Sequence, residues 1–187
     1  LVLALLGAVF PVAVMAAAVN AMGSQLPREA GSLMLFALVP EVVCMLGLLM
    51  TMSPAVSDEL ERGTWAHVAV RPGGRRALLL GTWLAAVAWT SGVALVALAL
   101  VLRANLIQGA ENIAGTFSAL VLLSAVGRAA LFALPAVIVP KKALVASVGV
   151  AVLVEVLAGL IPAVVNQFTV SLRLRTLLVA GMGWQRQ

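Results

Sequence analysis

The chain has 187 residues, of which 63% are hydrophobic and 10% charged, and its formal net charge is +5. Soluble domains are about half apolar and about a quarter charged, so this composition predicts an integral membrane protein without a separate soluble domain. The basic residues are scattered and the single cysteine is Cys44, which argues against nucleic-acid binding and excludes an intrachain disulfide or a cysteine metal site.

Five apolar segments are long enough to cross a bilayer, which takes about 20 residues of helix. Backbone polar groups in lipid must be satisfied within the segment itself, so we predict that all five are helices. The fold class is therefore an all-α, polytopic transmembrane bundle forming a single domain over residues 1–187. The predicted spans cover residues 1–21, 32–54, 77–102, 113–139 and 143–165.

Basic residues in the short loops predict the orientation of this bundle. Six of them lie between the second and third spans or between the fourth and fifth: Arg62, Arg71, Arg75, Arg76, Lys141 and Lys142. The loops on the opposite side have two, Arg28 and Arg103. We therefore predict that the loop 57–76 is cytoplasmic. The segment 166–187 mixes apolar and basic residues and is predicted to lie along the outer interface.

The loop 57–76 is the longest polar-rich stretch of the chain. Asp58, Glu59 and Glu61 suit the first turn of a short helix, because negative charge is favourable at a helix N-terminus. Leu60, Thr64 and Val68 then recur every four residues on one face, with Trp65 alongside, which predicts an amphipathic helix. A helix that rests on lipid normally has basic residues on its polar face, whereas this one begins with three acids. The pattern favours a protein partner outside the membrane.

Three ionisable residues lie inside predicted spans: Glu41, Arg128 and Glu155. A lone charge at the bilayer centre costs at least about 2.5 kcal/mol on insertion scales. All three residues are predicted to lie near mid-membrane, so Arg128 can pair with Glu41, with Glu155 or with both. The functional interpretation is a polar element of a translocation path or a lock between helices. The alternative is a static ion pair or a carboxyl group that stays protonated.

Motifs for catalysis are missing from the sequence. It contains no GxxxxGK[ST] phosphate-binding loop and no HExxH or GxSxG motif. The only histidine, His67, has no second histidine or cysteine nearby with which to bind a metal. We therefore predict that this chain is not itself an enzyme, and that it has no catalytic residue, metal or cofactor of its own.

The central stretch contains E-x-x-x-G-T-W, then R-P-x-x-R, then L-L-G. The residues are Glu59, Gly63, Thr64, Trp65, Arg71, Pro72, Arg75, Leu79, Leu80 and Gly81. In its residue types, its spacing and its position after the second span, this pattern resembles the ABC-2 permeases, the membrane subunits of ATP-binding-cassette exporters. Thr82 follows the glycine, where that family usually has a lysine.

The resemblance implies a multi-pass permease in the cell (inner or plasma) membrane, paired with a second permease subunit as a homodimer or heterodimer. Two separate ATPase subunits would bind ATP and Mg on the cytoplasmic side and drive the movement of a substrate, most simply export. The family has six spans after an amphipathic helix, so we expect the full protein to include both. The segment 57–76 would be the coupling helix, docking on the ATPase through Asp58, Glu59, Glu61, Arg62, Gly63, Thr64, Trp65, Arg71, Pro72 and Arg75.

Two other functions are consistent with the residues. An ion-coupled secondary transporter would use Glu41, Arg128 and Glu155 as its charged path. A membrane scaffold would use the loop 57–76 to recruit a soluble protein. The residues do not identify a substrate.

Overall fold

The computed structural model describes residues 2–52, 70, 73–108, 113–139, 142–153 and 170–182. Within these residues the chain is helical, and no strand is formed. The all-α prediction is confirmed for this part of the chain. The helices are α1 (Val2–Met22), α2 (Arg28–Met52), α3 (Gly74–Arg103), α4 (Ala114–Ile138), α5 (Ala143–Val150) and α6 (Val170–Gly181).

Four helical segments are apolar and long enough to cross a bilayer: Ala4–Met22, Arg28–Met52, Arg76–Arg103 and Ala114–Pro135. They match the first four predicted spans and support the prediction of a membrane protein. The fifth predicted span, 143–165, is described only to residue 153, so its second half lies outside the described residues. The count of five spans therefore stays a prediction.

The helix α2 begins four residues before the predicted start of the second span. Pro27 precedes it in an extended conformation, and the Gly31 N–H donates to the Pro27 carbonyl at 2.8 Å. Arg28 and Glu29 are polar but exposed, so they extend the helix without entering the apolar part of the bundle. Hydropathy locates the apolar part of a helix, but it does not show at which residue the helix begins.

At one end of the bundle, two loops are joined by hydrogen bonds. The Leu26 N–H donates to the Leu106 carbonyl at 3.0 Å, and the Gln108 N–H donates to the Leu26 carbonyl at 3.0 Å. Gln25 Nε2 also donates to the Asn105 carbonyl at 2.9 Å. We call this contact the clasp. Because α1 and α3 end at the clasp and α2 begins there, the C-terminus of α2 and the N-terminus of α3 lie together at the far end.

The apolar core forms two clusters, one on each side of a polar section of α4. The cluster near the clasp includes Phe117 and Val121, and the cluster toward the far end includes Ala129 and Phe132. Between them, α4 places Ser124 and Arg128 in the interior of the bundle. The polar groups are thus held at mid-depth, with apolar packing above and below.

The short helix α6 packs lengthwise against the half of α4 nearer the clasp. A Cβ added at Gly181 would come within 2.6 Å of the Thr116 side chain, and one added at Gly127 within 3.3 Å of Val170. The two helices are therefore antiparallel, with the start of α6 at mid-depth. The sequence predicted an outer interfacial segment at 166–187. In the described part of that segment, Leu174 and Leu178 are buried in the cluster near the clasp.

Candidate functional site

Arg128 is the largest fully buried side chain among the described residues, with 1% of its surface exposed. Its Nη1 donates hydrogen bonds to the Pro40 carbonyl and to the Ser124 hydroxyl oxygen. Its Nη2 donates to the Ser171 hydroxyl oxygen at 3.2 Å. These contacts join α2, α4 and α6 at one guanidinium. A buried charge is tolerated only when it is paired or hydrogen-bonded, and the hydrogen bonds of Arg128 meet this requirement.

The Pro40 carbonyl can accept these bonds because α2 changes its winding there. Residues Ala37–Val43 form a π-helix, and Pro40 in its centre has no N–H to donate. In a regular α-helix, the Cys44 N–H would bond to the Pro40 carbonyl. Here it is directed to the carbonyls of Val39 and Glu41 instead. The Ser124 hydroxyl donates to the Pro40 carbonyl at 2.6 Å. A side chain of α4 therefore takes the place of the Cys44 N–H, which would be the donor in a regular α-helix.

Glu41 is next to this carbonyl and faces another helix. Its Oε1 lies 3.7 Å from Nε of Arg175 on α6. The glutamate side chain is 23% exposed and the arginine side chain 64% exposed. Within the described residues, Oε1 is buried and makes no hydrogen bond, because 3.7 Å is longer than a hydrogen bond. The contact is a loose ion pair that adds a second link between α2 and α6.

We call Pro40, Glu41, Ser124, Arg128 and Ser171 the polar layer. It combines a fixed positive charge, a carboxylate and two hydroxyl groups, held on three different helices. These groups can exchange hydrogen bonds and ion pairs with one another when the helices shift.

The sequence placed Glu41, Arg128 and Glu155 at one depth and left their pairing open. In the structure Glu41 and Arg128 both approach α6, but each contacts different groups. Glu41 pairs with Arg175, while Arg128 is hydrogen-bonded to the Pro40 carbonyl and to serines. Glu155 lies outside the described residues, so its pairing with Arg128 stays a prediction.

Sequence reasoning missed Ser124, Ser171 and Arg175. A periodicity signal was present for all three. Ser124 precedes Arg128 by four residues, and Ser171 precedes Arg175 by four, so each pair shares one helix face. No such signal existed for the Pro40 carbonyl, because a proline within a span predicts a kink and not which carbonyl is released.

The residues predicted to contact an ATPase lie almost entirely outside the described part of the chain. These are Asp58, Glu59, Glu61, Arg62, Gly63, Thr64, Trp65, Arg71 and Pro72. The backbone of Arg75 is in the first turn of α3. The structure does place the two flanking helix termini, since α2 ends at Met52 and α3 begins at Gly74, both at the far end of the bundle.

Comparison of the chain with models of protein families, with curated proteins and with solved structures finds no match. Among the described residues, no group of three or more histidine, cysteine or acidic side chains is placed to hold a metal ion. The functional interpretation therefore rests on two features, the polar layer and the residue pattern between α2 and α3.

Proposed function

We propose that this chain is the membrane subunit of an ABC-2-type transporter, which moves a substrate across the cell membrane with ATP hydrolysed by a separate subunit. The observation that carries the proposal is the pattern at 59–81, with its G-T-W, R-P-x-x-R and L-L-G elements. It begins after the end of α2 and continues into the first turns of α3, and both helices are apolar and long enough to cross a bilayer. A polar, partly acidic loop in that position suits a soluble partner.

The packing of α2 offers a route from that loop to the interior of the bundle. Pro40 lies 12 residues before Met52, which is about 18 Å along a helix. A displacement of the loop would act on α2 and α3 together, because Gly47 and Thr90 are in close contact between them. The clasp ties the opposite ends of these helices. The π-turn at Pro40, which lacks one backbone donor, is then the natural place for α2 to bend.

The energetics of the polar layer suit a two-state element. Moving a two-state equilibrium from 1:99 to 99:1 requires about 5.5 kcal/mol of differential binding by the partner. A hydrogen bond to a charged group contributes about 1.5–3 kcal/mol. The bonds from Arg128 to α2 and to α6 together are of the same size. The proposal therefore requires ATP-driven closure of the partner to supply a free energy of about this size.

A second candidate function is an ion-coupled carrier. It is favoured by Glu41, whose Oε1 is buried at mid-depth without a hydrogen bond in the described part of the chain. Such a carrier would transport substrate without ATP, and a Glu41→Gln variant would lose the dependence on the ion gradient. The residue pattern at 59–81 has no role in an ion-coupled carrier. For this reason we prefer the membrane subunit of an ABC-2-type transporter.

The proposal is tested by purifying the full-length protein in mild detergent and identifying subunits that remain bound in stoichiometric amounts. The variant Glu59→Lys/Glu61→Lys reverses two charges in the loop. Its matched control, Glu29→Lys/Glu111→Lys, makes the same charge change at two acidic residues outside the loop 57–76. We expect the unmodified chain and the control to retain a subunit with a GxxxxGK[ST] motif, and the loop variant to lose at least nine-tenths of it.

Two outcomes would contradict this assignment. Equal recovery of the ATPase from all three proteins would remove the loop as the coupling element. Recovery of no such subunit from the unmodified chain, combined with ATP-independent transport by the reconstituted protein, would favour the ion-coupled carrier. Folding of each variant is checked by its helical circular dichroism and its elution as a single species.

A further inference from the structure

A cavity of about 460 Å³ lies between α1, α2 and α3, in the half of the bundle toward the far end. Among the described residues its wall is apolar apart from two threonines, Thr51 and Thr90, and none of those residues is charged. Gly7 and Gly47 are part of the wall, at points where the helices approach each other closely. The volume falls within the range of about 300–1,000 Å³ that is typical of ligand pockets.

The cavity opens sideways, on the apolar surface of the bundle. Several residues of its wall are exposed: Leu6 and Phe10 on α1, Leu46 and Met50 on α2, and Trp89 on α3. The helix α1 is the most exposed of the four spans. Only 17% of its spanning segment is buried, compared with 39% to 44% in the other three spans. The cavity therefore lies at the edge of the bundle, beside the span with the most exposed surface.

The dimensions of the wall match the hydrocarbon chain of one leaflet. On α2 it extends from Val42 to Thr51, about 14 Å along the helix. Half of the hydrocarbon thickness of a bilayer is about 15 Å. The wall begins close to the far end of the bundle and stops near mid-depth, at the level of Val43 and Val93. An apolar ligand that enters from the surrounding leaflet would thus be covered along almost its whole chain.

We propose that this cavity is a lipid-binding site, which holds one hydrocarbon chain of a membrane lipid from the leaflet at the far end. The described part of the wall is apolar apart from two hydroxyl groups, which suits a hydrocarbon chain better than a charged headgroup. The chain would complete the packing between α1 and the rest of the bundle, because an empty space of this size forfeits the dispersion contacts of its lining. This inference is independent of the proposed ATPase partner.

The site is tested with a phospholipid that has a photoreactive diazirine near the end of one acyl chain, mixed at increasing fractions into phosphatidylcholine vesicles containing the full chain. Labelled residues are mapped by peptide mass spectrometry. We expect saturable labelling on residues 4–10 and 42–51, at least fivefold above labelling of the exposed face of α4. Unlabelled phospholipid should compete with it. This measurement needs no variant.

A variant that fills the cavity, Ala4→Phe/Val42→Phe, should lower this labelling at least fivefold. The matched control Ala99→Phe/Ala130→Phe enlarges two exposed alanines outside the cavity and should leave the labelling unchanged. Labelling that never saturates and is spread evenly over the exposed helix faces would overturn the proposal. So would the absence of label from residues 4–10 and 42–51, which would show that another protein segment or a second copy covers the cavity.

Discussion

Replacing Arg128 by leucine is expected to cost about 1–3 kcal/mol of unfolding free energy, because buried hydrogen-bond acceptors on three helices lose their charged donor. The substitution deletes donors to the Pro40 carbonyl, to Ser124 and to Ser171. Each bond to a charged group contributes about 1.5–3 kcal/mol, while leucine recovers part of this by burying apolar surface. Arg128→Lys keeps the charge but lacks the planar fork with which arginine reaches α2 and α6 together, so it should recover less than half of the loss.

The assay is equilibrium unfolding in mixed micelles with increasing sodium dodecyl sulfate, followed by tryptophan fluorescence. The control is Arg103→Leu, which removes an exposed basic residue from the last turn of α3 and should change the free energy by about 1 kcal/mol or less. A loss below 1 kcal/mol for Arg128→Leu would refute the reasoning, because the polar layer would then hold no helices together. An equal loss for the lysine and leucine variants would show that the geometry of the guanidinium is irrelevant.

Two further predictions concern contacts between helices. Gly47→Ala should destabilise the bundle by about 1–3 kcal/mol, because the added Cβ would lie 2.8 Å from Cγ2 of Thr90. A second substitution in the same chain, Thr90→Ala, removes that contact and should restore most of the lost stability. The control is Gly92→Ala, whose added Cβ would have no atom within 4 Å, so this variant should be neutral or slightly stabilised. Equal effects at both glycines would show that α2 and α3 are not in contact at Gly47 and Thr90. For the pair Glu41–Arg175, a double-mutant cycle with glutamine at each position should give a coupling of about 0.5–1 kcal/mol, and a coupling near zero would remove the pair as a link to α6.

The agreement between sequence and structure is best where one helix alone decides the outcome. The first four spans follow from apolar length, and their helical state follows from the backbone hydrogen bonds that lipid requires. Boundaries were less accurate, because residues such as Arg28 and Glu29 continue a helix beyond its apolar part. Arg128 was recognised as an interior charge from its position within an apolar run, and its burial agrees with that.

The partners of these interior charges were not predictable in the same way. Glu41 and Arg175 approach only because α6 turns back along α4, and the sequence of 166–187 was equally compatible with a helix lying at the membrane surface. The amphipathic signal in that segment shows which face is apolar. It does not distinguish burial against lipid from burial against another helix, since both are apolar surroundings.

Composition and the length of the apolar runs thus determined that this chain forms helices that are long and apolar enough to span a membrane and have charges in their interior, because each helix satisfies its own backbone and lipid tolerates few charged side chains. The tertiary structure alone decided how those charges are satisfied. Arg128 bonds to a carbonyl 88 residues away and to a hydroxyl group 43 residues away, and the carbonyl is available only because α2 is wound as a π-helix around Pro40. The cavity beside α1 has the same origin, since its volume depends on how closely three helices approach one another and not on the residues of any one of them.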